Sequence, residues 1–284
     1  MSRIAIVTDS ASDLTPEAAK AAGITVVPLI VSFGTESFRA GVELSTEAFW
    51  RRMTAPDAPF PTTAASSPGT FRDAFEACFA AGADAIVCVD VAETLSGTIK
   101  SARVAAGLLT DREIHIVDSL SASMGTGLLA LMAAELATAG RSAAEIAATL
   151  EDRRSDIDLY VVLDTLAYLR KGGRISGPQA AIGTLLSVKP IITVRSGLVE
   201  TADRPRTRAK ARERVLELLS SKPLERLAVL YTPPADPASF RDELVARLPG
   251  GIDPKHVTMQ PVGPSVGPHL GPGCLGAVVL HARG

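Results

Sequence analysis

Short apolar runs alternate with polar breaks marked by proline and glycine along the first half of the chain. Ile4 to Thr8 reads as a strand, and Thr15 with Pro16 reads as the cap and first turn of a helix. Gly23 closes that helix, and Ile24 to Ser32 reads as one further strand. Ser67 and Pro68 repeat the cap ahead of a helix over Phe71 to Ala81. Strands over 85–91 and 114–117 then alternate with a helix over 96–109 and another after Ser121. Ser142 and Glu145 have the spacing of a capping box. This alternation predicts a mainly parallel sheet with helices on both faces.

The second half has a different texture. Leu159 to Leu163 reads as a strand, Leu166 to Leu169 as helical, and Gly172-Gly173 as a break. Ile182 to Leu186 is apolar, Pro190 to Arg195 reads as a strand, and Gly197 marks a hairpin turn. An amphipathic helix over 208–219, a strand over 227–231, a helix over 237–248 and a last strand over 277–281 follow. A boundary near residues 155–160 divides the chain into two α/β domains. The first, over 1–157, has a parallel sheet; the second, over 158–284, has a mixed one.

Composition narrows the function. With 284 residues, 46% of them apolar, the chain can bury a substantial core, while only 4% aromatics argues against stacking on bases or sugars. The 29 basic and 31 acidic residues give no electrostatic footprint for nucleic acid. Cys78, Cys88 and Cys274 form no C-x-x-C pair and read as small core residues. The first ten residues hold too short an apolar run for a signal peptide, and Ser123 to Ala139, interrupted by Glu135, reads as a buried helix rather than a membrane span. A cytoplasmic protein is expected.

Some motifs match only in letters. Gly263-Pro264-Ser265-Val266-Gly267 has the G-x-S-x-G form of a nucleophile elbow, but Pro268 follows and no acid comes after Ser265. Gly271 to Gly276 matches G-x-G-x-x-G, yet the chain ends before a βαβ unit can follow. There is no phosphate loop, hence no recognisable ATP site. The four histidines lack metal-ligand spacing. Asp9 and Asp13, flanking Ser10 and Ser12, read as turn and cap residues in preference to a magnesium or phosphate site.

Three polar turns remain: Pro61 to Pro68, Leu95-Ser96-Gly97-Thr98, and Gly267 to Gly273 with His269. The first two offer hydroxyls and free N–H groups at helix starts, which suit an anion, and His269 adds a donor of switchable charge. Spacing alone favours ordinary caps and turns over a ligand site.

The segments IVTDSASDL, PTTAASSPGTF, LSGTIKSA, IVDSLSASMGTGLLAL, LRKGGRIS, LLSVKPIITVRSGLVE, RPRTRAKA and GPHLGPGCLG occur in this order. Together they resemble the bacterial DegV family almost end to end. The resemblance implies a lipid-binding subunit without a cofactor of its own, serving phospholipid metabolism. It would bind a long-chain fatty acid near the domain interface. A separate ATP-dependent fatty acid kinase subunit would then phosphorylate the acid to an acyl phosphate. Transient membrane contact is compatible with that role.

Carried over to this chain, the carboxylate clamp falls on Thr63, Ser96 and His269. Thr62 is the alternate, Gly97 lies beside Ser96, and Arg206 is the residue for the kinase step or docking. The chain departs from the family pattern at Ala64 and Ala65, where serine and glutamine are usual, and at Leu270, where threonine is usual. About fourteen buried methylenes at about 0.8 kcal/mol each would contribute roughly 11 kcal/mol, against an association cost of about 4–15 kcal/mol. The tail would therefore drive binding, with a tunnel formed by the second domain and the buried helix after Ser123. The alternatives are an autonomous serine hydrolase or phosphotransferase, and a binding module for another lipid.

Overall fold

The computed structural model describes residues 2–175 and 188–283. The predicted apolar segment Ile182 to Leu186 lies outside the described residues.

Strands β1 (Ile4–Asp9), β2 (Ile24–Val27), β6 (Ala85–Asp90) and β7 (Glu113–Asp118) form a parallel sheet in the order β2-β1-β6-β7. Their continuous apolar runs suit strands covered on both faces. Helices α1 (Pro16–Ala21), α3 (Pro68–Ala80), α4 (Thr98–Gly107), α5 (Met124–Thr138) and α6 (Ala143–Arg153) provide the cover. Thr15 and Ser67 cap α1 and α3 by accepting from Ala18 N and Thr70 N, both at 3.1 Å, and Ser142 and Glu145 close the expected capping box on α6.

The expected single strand over 24–32 is two strands. Pro28 has no N–H to donate, so the parallel pairing stops at Val27. The chain resumes as β3 (Ile30–Phe33), which pairs antiparallel with β4 (Glu36–Arg39) and β5 (Thr62–Ala64) in a separate small sheet. Helix α2 (Thr46–Met53) packs Phe49 against Phe33 of that sheet, with ring centroids 5.9 Å apart.

The mixed sheet holds β8 (Ile157–Val162), β9 (Ile191–Arg195), β10 (Leu198–Asp203), β11 (Leu224–Tyr231), β12 (Val257–Pro261) and β13 (Leu275–His281). Their order is β10-β9-β8-β13-β11-β12, with only β11 and β12 parallel. Helices α7 (Ala167–Lys171), α8 (Arg208–Leu219), α9 (Pro237–Arg247) and α10 (Gly267–Leu270) belong to this half. Val215 and Leu216 of α8 and Phe240 of α9 are fully buried in the apolar cluster that seats these two helices on the sheet.

Helix α5 touches β1 and β6 of the parallel sheet and β8, β11 and β13 of the mixed sheet. A helix with neighbours on both sides must be apolar all round, and from Met124 through Ala130 every residue is buried. One apolar core therefore joins the two halves. No described helix is long and apolar enough to cross a membrane.

Candidate functional site

A narrow cavity, about 700 Å³ of atom-free space including the part open to solvent, lies where the mixed sheet meets the loops after β1, β6 and β7. Leu159, Val161, Ile192, Val194, Val199 and Leu230 line it from the mixed sheet, and Ala11, Val91, Leu95 and Ala122 from the opposing loops. Of the two parts expected to form a tunnel, the second domain contributes its sheet to this cavity and the buried helix after Ser123 does not line it. Among the described residues, α5 contributes only the segment leading into it, Ala122 and Ser123, because the helix itself is consumed in joining the two sheets.

Thr63, Ser96, Arg174 and His269 all line this cavity, Thr63 and His269 bonded to each other and Arg174 bonded to the carbonyl of Leu95, next to Ser96. Thr63 stands on β5, not in a polar turn at a helix start as the sequence suggested. In a strand, alternate side chains face opposite ways. Thr63 is therefore turned inward and half-buried, while its neighbours Thr62 and Ala64 are exposed. Thr62 is accordingly not among the cavity-lining residues, and Ala64 faces the same way. Ala65 is half-buried beside Gly97, and Leu270 adds an apolar wall.

Ser96 precedes α4, where its Oγ lies 2.7 Å from Thr98 Oγ1 and accepts from Thr98 N at 3.3 Å. Gly97 occupies the cap position of α4 without a side-chain bond and does not line the cavity. His269 sits on α10, in a segment read from sequence as a loop. Its Nε2 is 3.0 Å from Thr63 Oγ1, and Nδ1 has no hydrogen-bond partner among the described residues. The ring fits only because residue 172 is glycine, since a Cβ there would collide with Nδ1.

The expectation of a switchable charge on His269 does not hold in this cavity. Burial, and then the positive charge of Arg174, push its pKa down to about 4, so the ring is neutral near pH 7. In the Nε2–H tautomer the ring donates to Thr63 Oγ1, which leaves the threonine hydrogen free to point at an acceptor in the cavity.

Arg174 is the residue the sequence reading missed. It follows the Gly172-Gly173 turn, its Nε donates to Leu95 O at 3.1 Å, and its Nη1 donates to Gly172 O at 2.5 Å. Among the described residues Nη2 has no partner. The signal was a lone arginine between a glycine pair and an apolar residue, in a segment noted only for its resemblance. Two hydroxyls, a neutral imidazole and a guanidinium can together hold a carboxylate.

Arg206 is exposed between β10 and α8 and lies outside the cavity lining. Its segment is tied to the late loop by Arg208, which hydrogen-bonds Gly273 O and forms an ion pair with Asp164 at 2.9 Å. Ser265 lines the cavity, but its Oγ is 2.7 Å from Ser10 Oγ, which in turn accepts from Leu29 N at 2.8 Å. With His269 bonded to Thr63, the elements of a Ser–His couple are not assembled. Gly271 to Gly276 runs directly into β13, an antiparallel strand, rather than opening a helix. Among the described residues no cluster of His, Cys, Asp and Glu could hold a metal ion.

Residues 3–282 match the family described as "Uncharacterised protein, DegV family". A DegV domain-containing protein of Streptomyces coelicolor is 38% identical, over 98% of this chain and 99% of its own length. Among solved structures, a DegV family protein from Thermus thermophilus, described by its fatty acid binding, superposes with a TM-score of 0.89. It shares 34% identity over 99% of this chain and 100% of its own. Bacillus subtilis DegV, described as a fatty acid binding protein, gives a TM-score of 0.86 and 31% identity over 99% and 100% of the two chains.

Proposed function

The chain belongs to the DegV family, and from that premise we propose that it binds one long-chain fatty acid in the cavity between its two halves. The carboxyl group lies among Thr63, Ser96, His269 and Arg174, and the tail runs along the aliphatic wall of β8, β9, β10 and β11. The observation that carries this reading is that Thr63, Ser96, His269 and Arg174 line a mostly aliphatic cavity, with Thr63 bonded to His269 and Arg174 bonded to the carbonyl of Leu95, next to Ser96. A buried carboxylate without donors would be costly, and these groups supply them. Arg174 offers the compensating charge, while the tail supplies most of the driving force.

The bound acid is presented to a separate ATP-dependent kinase. That enzyme transfers the γ-phosphoryl group to a carboxylate oxygen, forming an acyl phosphate and releasing ADP. Arg206, exposed on the segment that Arg208 ties to the late loop, serves docking or the transfer step. The binding subunit itself needs no cofactor in this scheme. It works in the cytoplasm and touches the membrane only to collect or deliver its ligand.

Calorimetric titration with palmitate and with methyl palmitate tests the binding site. Palmitate is expected to bind at one site per chain, and the ester at least tenfold more weakly. Equal affinity for both would refute the polar clamp. For the second step, palmitate-loaded protein with ATP alone should give no hydroxylamine-trappable acyl phosphate, and addition of the kinase should produce it. Formation without the kinase would contradict the division of labour.

A further inference from the structure

Besides the Thr63–His269 bond, three hydrogen bonds among the described residues tie the loop that carries His269 to the N-terminal half. Trp50 Nε1 donates to Val262 O at 2.8 Å, Gly263 N donates to Asp13 Oδ1 at 2.9 Å, and Ser265 Oγ meets Ser10 Oγ at 2.7 Å. Gly263 in turn anchors α10, because its carbonyl accepts from Gly267 N at 2.8 Å. The other oxygen of Asp13 accepts from Ser123 Oγ at 2.5 Å, and Ser123 lines the cavity. One buried carboxyl group thus joins three distant segments around the proposed ligand. The approach is close: a Cβ on Gly263 would lie 2.9 Å from Asp13 Oδ1.

We propose that Asp13 is a positioning residue for the head-group site, anchoring Gly263 and so holding the turn that sets His269 against Thr63. The functional part of this inference rests on the acid-binding reading above. The ionisable group that acts on Asp13 is Asp9, at the end of β1; Cys274, ahead of β13, is in turn acted on by Asp13, and its thiol is pushed up to about 12 chiefly by burial. Neither supplies a positive charge. Burial therefore dominates, and the Asp13 pKa is pushed up to about 7 against an ordinary 3.8.

As a neutral acid, Asp13 can accept from Gly263 N through its carbonyl oxygen and donate its own proton to Ser123 Oγ. Opening of the turn lets water reach the group and returns its pKa toward the ordinary value. The closed turn consequently binds the proton more tightly than the open one. Raising the pH between these two values favours opening by up to about tenfold per unit, and the effect levels off above the higher one.

Hydrogen exchange of the full chain, followed by mass spectrometry from pH 5 to 8 and corrected for intrinsic rates, tests this. Opening of the segment 262–270 is expected to rise with pH up to about 7 in the wild type, while the end turns of α8, which open without exposing Asp13, stay level. Asp13→Asn, which mimics the neutral acid, should flatten the profile, and Asp13→Ala should exchange faster at every pH. A wild-type segment that follows the end turns of α8, or an Asn variant parallel to the wild type, would overturn the proposal. The wild-type profile alone decides the matter if a variant does not fold.

Palmitate titration at pH 6 adds a functional arm. Asp13→Ala should bind about tenfold more weakly and Asp13→Asn within about twofold of wild type. Equal affinity in all three overturns the positioning role and leaves the fatty-acid reading standing. Absence of palmitate binding by the wild type sinks that reading, while the exchange profile still judges whether Asp13 holds the turn.

Discussion

At the scale of single residues, position on a strand separates neighbours that composition treats as equivalent. Thr62 and Thr63 differ only in which face of β5 they occupy. Thr63→Ala is expected to weaken palmitate binding, and Thr62→Ala to leave it within about twofold. Loss of a hydrogen bond to a charged group costs about 1.5–3 kcal/mol, so Ser96→Ala or Arg174→Ala should raise the Kd by roughly tenfold or more in the same titration. The pKa of His269, about 4 in the cavity without ligand, should rise when a carboxylate sits beside it. NMR titration of the imidazole with and without palmitate measures that change, and an unchanged value would place the head group elsewhere. The resemblance pointed to the histidine and both hydroxyl residues that line the cavity. Arg174 was not, because only the turn at Gly172-Gly173 brings it back to Leu95.

At the scale of elements, helix caps were the most legible feature, since Thr15, Ser67 and Ser142 act through bonds to residues three positions away. The division of residues 24–33 was harder to see. An apolar run through Pro28 resembles one strand, yet its two halves serve different sheets. The third polar turn hid the short helix α10, which is held by contacts with distant segments rather than by its own propensity. Gly172 exposes that dependence. Gly172→Ala should displace the His269 ring and weaken palmitate binding, while the far-ultraviolet circular dichroism stays unchanged. Full affinity in this variant would show that the ring position does not matter for binding.

At the scale of the whole molecule, the two α/β halves are legible from alternation and texture, but their shared core is not. Helix α5 reads as buried from its composition alone; that it lies between two sheets depends on the pairing of β8, β11 and β13. Acids are also buried at the ends of β1 and β6 and in the loop that follows β1. Burial pushes Asp9 up to about 6 and Asp13 up to about 7, and burial beside Asp9 raises Asp90 well above the ordinary range. Groups whose folded pKa exceeds the unfolded value near 3.8 contribute stability below that value, which is lost as pH rises through 6 to 7. Calorimetry should therefore show a melting temperature that falls between pH 5 and 8. Asp13→Asn should reduce the fall, and a rising melting temperature would contradict the assignment.

The central claim is occupancy of the cavity by a fatty acid, and native mass spectrometry of the protein purified from bacterial cells tests it most directly. The expected result is a mass excess equal to one long-chain fatty acid per chain, lost on denaturation and recovered in the lipid extract. A protein that carries no acid as purified, and retains none after incubation with palmitate, would contradict it.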